Sequence, residues 1–413
     1  MTTINIQLPQ PVEQIINTLI ENGYDAYIVG GCVRDAILGK EPNDWDITTS
    51  AKPQEVKALF RKTVDTGIAH GTVTVIINHE GYEVTTYRID GEYQDGRHPN
   101  SVEFTGNLVE DLKRRDFTIN AMAYNQVSGL VDAFEGITDL EKGIIRCVGN
   151  PLERFEEDAL RMLRCIRFSA GLGFEIEAHT WHAIEQLAPN IEKISKERIQ
   201  VELDKLLQSK QPEKIAYVYE TGLSNYIFTE LNRLKDLDRM EEVLALLHKV
   251  ESNHYLRWGA LLYLTDGGRC KDILKDLRFD NRTIDTVSKL VEALKLPVPK
   301  DIVETRKSMN RVGTEIYPYW IAMEQALERC SETMLKEWNT YYQQVIENRD
   351  CISLKQLAVN GKDIIAMGVP RGNQVGDILA NLLERVLEEP EQNDREKLIH
   401  IIKTEYSYNI LSE

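Results

Sequence analysis

An apolar run, Ala26 to Val29, ends in Gly30-Gly31 and is soon followed by Asp44-Trp45-Asp46. The run reads as a short buried strand, and the glycines as its exit into a helix over Val33–Leu38. Glycine has no side chain in the way, so this turn can bring backbone N–H groups and a helix N-terminus close to a phosphate. A second strand is expected to carry Asp44 and Asp46, and alternation along it would put both carboxylates on one face. Two carboxylates beside a phosphate cradle are what a pair of Mg²⁺ ions needs for phosphoryl or nucleotidyl transfer. Alone, a Gly-Gly after a strand is a tight turn and an Asp-x-Asp is a solvated loop. Their order and spacing, with Arg34 and Asp35 between them, carry the signal.

The chain of 413 residues has room for about two to four domains. A net charge of −17 argues against a uniformly basic nucleic-acid binder, while a local basic strip stays compatible with it. The six cysteines are scattered and form no C-x-x-C pair. Neither a zinc site nor a disulfide framework is expected, and reduced thiols fit a cytoplasmic protein. MTTINIQLPQPVEQ has no basic segment followed by an apolar one, so no signal peptide is expected. No apolar run approaches the ~20 residues of a membrane helix, and no protein partner is evident.

Residues 1 to 145 read as mixed α/β, with a helix near Pro11–Asn22, another near Pro53–Phe60, and alternating strands at Thr72–Ile77 and Tyr82–Ile89. From Asn150 onward strand-like runs disappear and the pattern turns helical. Joints are expected near Asn150, Gln211-Pro212 and Leu296–Pro299, and a compact two-helix module over Leu354–Leu387. The fold class is therefore α+β, a small mixed-sheet head followed by an all-α remainder.

A second motif, Arg114-Arg115-Asp116-Phe117-Thr118-Ile119-Asn120, follows within the same predicted domain. Two adjacent guanidinium forks can grip a triphosphate or a ribose; the alternative is a helix end with exposed charges. Upstream, Asp90–Pro99, with Arg97, is polar and Gly-rich, either a plain surface loop or an element closing over substrate. Glu83 is either a third acidic group near the metals or an exposed strand glutamate.

A third motif runs from Glu157 to Arg167 and reads as one helix. Asp158, Arg161 and Arg164 stand at i, i+3 and i+6 on one face, with Arg167 continuing the row. An i, i+3 salt bridge on a solvated surface is the bland account. The sharper one starts from chemistry, since an aspartate only accepts hydrogen bonds and an arginine only donates. Cytosine and adenine each offer an exocyclic amine beside a ring-nitrogen acceptor, which matches a carboxylate next to a guanidinium. Guanine and uracil present the reverse, leaving buried groups unpaired at about 1–3 kcal/mol each. Gathering such an arginine row is costly unless an anion neutralises it.

These motifs, in this order, resemble the tRNA nucleotidyltransferases, or CCA-adding enzymes, of the bacterial and eukaryotic class, within the polymerase-β-like nucleotidyltransferase superfamily. The similarity runs on through Asp132–Gly149, Ser195–Glu202 and a tail-like module over Asn360–Gly376. It implies a five-stranded head (1–148), a neck (149–211), a body (212–300) and a tail (301–413), all helical after the head. It implies Asp44 and Asp46 as ligands of two Mg²⁺ ions. Gly30, Gly31, Arg34, Arg115, Asp158, Arg161, Arg164 and Arg167 would contact CTP or ATP. Glu83, Arg97, Arg114, Asp116, Asn120 and Glu157 would support them. The tRNA would lie along the helical part by its acceptor stem and elbow. Relatives that add only CC lack the loop between the first two motifs, so its presence favours full CCA addition and repair, or addition of A alone. No His-Asp dipeptide occurs, so the phosphohydrolase domain fused to some relatives is not expected. Poly(A) polymerases share the head motifs but usually carry basic extensions. A non-catalytic RNA-binding protein is the remote alternative.

Overall fold

The computed structural model describes residues 4–91, 102–236, 238–266 and 269–406. It divides into two compact units, Met1–Leu244 with Asp276–Arg278, and Ala245–Lys275 with Phe279–Glu413.

The first unit opens on helix α1 (Gln10–Glu21), which buries Val12, Ile15, Ile16 and Leu19, the i, i+3, i+4, i+7 stripe of an amphipathic helix. Strand β1 (Ala26–Val29) follows, buried along its whole length. The chain turns at Gly30, whose φ of +84° suits glycine, into helix α2 (Gly31–Ile37). Strand β2 (Ile47–Thr49) pairs antiparallel with β1, Ile28 opposite Ile47. After helix α3 (Pro53–Leu59) come β3 (Thr63–Gly67), β4 (Thr72–Ile77) and β5 (Glu80–Thr86). Strand β6 (Arg88–Asp90) pairs with β7 (Val102–Phe104), and helix α4 (Leu108–Lys113) leads to the hairpin β8 (Met122–Asn125) and β9 (Gly129–Asp132).

The sheet runs β3-β4-β5-β2-β1-β8-β9, with β2 and β5 parallel and the other neighbours antiparallel. It is thus mixed, as expected, but has seven strands rather than five. The two strands of the last hairpin escape a sequence search because neither alternates: β8 is buried and β9 half-buried at every position. Asn125 closes that hairpin, its side-chain oxygen accepting from the N–H groups of Val127 and Ser128. A core cluster of Tyr27, Val29, Tyr87, Leu112, Ala121, Ala123 and Val148 links β1, β8 and α4.

Two local expectations need correction, and a third falls outside the described residues. Asp44 and Asp46 precede β2 and do not lie within it. Pairing stops there because β1 has ended: the chain opposite Asp44 has already turned at Gly30, and only the Asp46 carbonyl is held, by Val29 N–H at 3.0 Å. The strand expected over Tyr82–Ile89 divides at the buried Tyr87, whose N–H bonds Thr49 O at 2.8 Å. Most of the Asp90–Pro99 loop, with Arg97, lies outside the described residues.

Helix α5 (Gly136–Lys142) and the short strand β10 (Ile144–Ile145) lead to α6 (Pro151–Glu157), α7 (Leu160–Leu172), β11 (Glu175–Ile176), α8 (Ala178–Leu187) and α9 (Lys196–Leu207). Strand β11 pairs parallel with β10, so strand structure does not end at residue 150. The single helix expected over Glu157–Arg167 is two helices. Asp158, at φ −143° and ψ 102°, breaks them apart, and its carboxylate accepts from Leu160 N–H at 3.1 Å. Aspartate competes with the helix for backbone donors in this way, so it favours helix starts over interiors.

The second unit is helical. Tyr317, Trp320 and Trp338 form an edge-to-face aromatic cluster, with Trp320 and Trp338 centroids 4.9 Å apart. The buried Arg306 donates to Asp350 at 2.6 Å. Helices Gly361–Ala366 and Asn373–Glu388 lie in the expected Leu354–Leu387 module. No helix among the described residues is long and apolar enough to cross a membrane.

Gly136 offers a direct test of this packing. A Cβ there would stand 2.5 Å from Thr118 O and 2.9 Å from Met122 Cγ. Gly136→Ala should therefore cost about 1–3 kcal/mol, as overpacking does, read as a lowered midpoint in urea denaturation.

Candidate active site

A cavity of about 430 Å³ opens where β1 hands over to α2. Six arginines (Arg34, Arg114, Arg115, Arg161, Arg164, Arg167) and three aspartates (Asp46, Asp116, Asp158) line it, with Gly30, Gly31, Asn120 and Phe168. The wall carries a surplus of positive charge in a chain of net charge −17. A wall of this kind is built for an anion.

Gly30 is required here twice over. Its φ is +84°, and a Cβ would come 3.0 Å from Arg115 Nη1. Arg115 therefore lies directly against the turn. Its Nε is buried with no hydrogen-bond partner among the described residues. Leaving such a donor unpaired costs about 1–3 kcal/mol, so the position is suited to an acceptor from outside the chain.

A polar chain crosses the cavity floor. Asp35 receives Arg34 Nε at 2.9 Å, and Arg34 Nη1 donates to Asn120 Oδ1 at 2.7 Å. Asn120 Nδ2 donates to Asp116 Oδ1 at 3.1 Å, and Arg164 donates to Asp116 Oδ2 through Nε at 3.0 Å and Nη2 at 2.7 Å. Burial pushes the Asp116 carboxyl up, but Arg164 and Asn120 outweigh it and hold the group at about 2. Phe168 is the apolar seat of the arginines. Arg167, Arg34 and Arg164 stand 3.8, 5.1 and 5.4 Å from its ring centroid.

The arginine row is neutralised from within the protein, contrary to the expectation that an external anion must do it. Arg161 bonds Glu157 at 2.6 Å and the carbonyls of Arg154 and Arg114. Arg164 takes Asp116, and Arg167 takes Glu202 at 2.5 Å. Asp158 does not share the arginines' helix face, because it sits at the break between α6 and α7. Its carboxylate is held by Arg198 of α9, at 2.8 and 3.3 Å. Asp158 and Arg161 nonetheless line the same cavity.

A second cavity of about 710 Å³ is lined by Asp44, Asp46 and Glu83 among others, so Asp46 belongs to both walls. The β2–β5 register places Ile47 beside Val84, which sets Asp46 level with Glu83. Burial raises the Asp46 pKa, Arg115 opposes this, and repulsion from Asp44 adds to it. A divalent cation between the two aspartates would relieve that repulsion. Among the described residues no three acidic, histidine or cysteine side chains converge as a ready-made cage. Two hard carboxylates without a cage suit Mg²⁺, which takes one or two protein carboxylates and completes its shell with phosphate oxygens and water.

Several contributors were not singled out from sequence. Asp111 was legible, since it stands three and four residues before Arg114 and Arg115. Phe168 carries no sequence signal beyond its apolarity. Arg198 and Glu202 lie in the Ser195–Glu202 segment that shares the resemblance, but nothing local showed what they bind, because their partners lie outside that helix.

The family model "Poly A polymerase head domain" matches residues 26–146, and that of "tRNA nucleotidyltransferase domain 2" matches residues 249–402. A CCA-adding enzyme of Limosilactobacillus fermentum is 38% identical over 94% of this chain and 95% of its own length. One from Lactiplantibacillus plantarum is 39% identical, covering 95% and 96%. The solved structure of the Bacillus stearothermophilus CCA-adding enzyme in complex with CTP superposes with a TM-score of 0.83 at 32% identity, covering 97% of this chain and 99% of that one.

The Asp116–Arg164 pair gives a signed pH prediction. A carboxyl whose pKa falls from 3.8 to about 2 on folding stabilises the fold fully above the unfolded value and loses that contribution as pH drops toward 2. Asp116→Asn should cost about 1–3 kcal/mol at pH 7, since it removes the charge opposite Arg164, which is half-buried and is then left with Glu202 at 3.9 Å. The gap from the unsubstituted protein should narrow below pH 4, as measured by denaturation at several pH values.

Proposed function

The chain belongs to the CCA-adding enzymes, the tRNA nucleotidyltransferases that complete the tRNA 3′ end from CTP and ATP, and we infer that the arginine-lined cavity receives the nucleotide. The observation that carries this is the surplus of arginines around Gly30 and Gly31, with an unpaired buried Nε on Arg115. Arg115, Arg114 and Arg34 hold the triphosphate and ribose, and Asn120 and Asp116 fix the direction of Arg34 and Arg164.

Asp44 and Asp46 would hold Mg²⁺, with Glu83 beside them, and bound Mg²⁺ supplies activation of the attacking hydroxyl and neutralisation of the leaving phosphate. The terminal 3′-hydroxyl of the tRNA attacks the α-phosphate and pyrophosphate leaves. The arginines bind the charge that moves onto the departing oxygens. Asp158 and Arg161 read the base edge. Oriented by Arg198, the Asp158 side chain keeps acceptor capacity for the exocyclic amine of cytosine or adenine. Arg167, with Glu157 and Glu202 behind the row, completes that wall.

The division of labour follows. The head (1–148) carries the chemistry, the neck (149–211) the base reading, and the body (212–300) and tail (301–413) the acceptor stem and elbow. With tRNA, CTP and ATP as its substrates, the enzyme works in the cytoplasm.

A tRNA ending before CCA, incubated with CTP and ATP, should gain three nucleotides and stop; a long A tail would mark a poly(A) polymerase instead. Asp44→Ala should reduce incorporation to background while tRNA binding persists, and retained turnover in that variant would remove the metal role. Arg161→Ala should weaken discrimination of CTP over UTP by about 1–3 kcal/mol, measured as a ratio of kcat/KM values.

A further inference from the structure

Asp111 has no place in the chemistry described so far, yet it is a fully buried carboxylate one helix turn from the nucleotide cavity. Its partners are unusual in what they connect. Oδ1 accepts from Arg114 Nε at 3.0 Å, Arg114 Nη2 at 2.8 Å and Arg88 N–H at 3.3 Å. Oδ2 accepts from Arg115 Nη2 at 3.5 Å and Thr48 Oγ1 at 3.3 Å. Thr48 lies in β2, two residues beyond Asp46. One carboxylate therefore grips both cavity arginines and the strand that follows the metal aspartates.

We propose that Asp111 is a positioning residue for nucleotide binding, which aims Arg114 and Arg115 into the cavity and fixes their distance from Asp44 and Asp46 through Thr48. The argument is one of competing partners. Adjacent guanidinium groups repel, and both stand at a partly buried wall where water screens little. Asp111 supplies the opposite charge from behind, so the donors facing the cavity stay available. Without it, the carboxylate whose charge acts most on Arg115 is Asp46, which lines the same cavity. Arg115 would then turn toward Asp46, lost to the phosphates and blocking the metal ligand. The long 3.5 Å contact fits this role: Asp111 orients Arg115 without occupying its Nε, which has no partner among the described residues. The inference rests on Arg115 binding nucleotide, as proposed above.

The test is CTP binding to the full-length protein, measured by equilibrium dialysis without metal, for Asp111→Asn, Arg115→Lys and the double variant. Asp111→Asn should raise the Kd for CTP about tenfold or more, and the double variant should bind no worse than Arg115→Lys, as coupled residues behave. ATP should follow CTP, because phosphate contacts do not distinguish bases. Fold changes that multiply in the double variant, or a Kd unchanged in Asp111→Asn, overturn the proposal. A Kd unchanged in Arg115→Lys instead overturns the nucleotide role of Arg115 itself. Should Asp111→Asn fail to fold, Thr48→Val keeps the carboxylate and removes one of its anchors; it should raise the Kd about two- to fivefold, and no change there refutes the link to β2.

Discussion

The ion pair between Asp116 and Arg164 is the contact on which the site depends. Asp116 follows the two adjacent arginines Arg114 and Arg115, and Arg164 lies on α7, so the pair fastens α7 to the segment that carries them. Its other oxygen holds Asn120, and through Asn120 it sets Arg34 at the exit of β1. A buried charge pair adds little net stability compared with an apolar pair, because desolvation offsets attraction. What it adds is geometry: two N–H groups of Arg164 converging on one oxygen of Asp116 fix both distance and angle. Phe168 works in the same direction, since three guanidinium groups resting on one ring share a reference plane.

The cavity is assembled by elements that each end early. Strand β1 stops at Gly30, which lets Arg115 approach and leaves Asp44 and Asp46 beyond the ladder. Helix α6 stops at Asp158, which frees a carboxylate to face the cavity while Arg198 holds it from behind. In both places the functional group sits just past the end of a regular element. Local backbone freedom there lets the side chain be aimed by its partners and not by a helical or strand repeat.

Much of this was legible in the sequence because the signals are local. Gly30-Gly31, Asp44-x-Asp46 and Arg114-Arg115-Asp116 each occupy a few residues, and their residue types dictate phosphate and cation chemistry. The alternation in Thr72–Ile77 likewise gave that strand its bounds. The break at Asp158 was not legible, since helical periodicity continues across it on both sides. The partners of the arginine row were not legible either: Asp116 and Glu202 lie far from Arg164 and Arg167 in sequence, and only tertiary packing brings them together. Strand β8 was missed because full burial erases the period-two pattern, and β9, half-buried at every position, shows no alternation either.

The contrast between an acidic chain and an arginine-lined cavity has a consequence for how nucleic acid is met. At physiological ionic strength the screening length is about 8 Å, so charge is felt only at close range. Taken as a whole, the acidic chain repels polyanions weakly at a distance. The arginines of the cavity attract phosphate within that short radius of its mouth. The charge distribution therefore acts on encounters at close range, favouring a phosphate that has arrived at the arginines and easing the departure of a product whose end has left them.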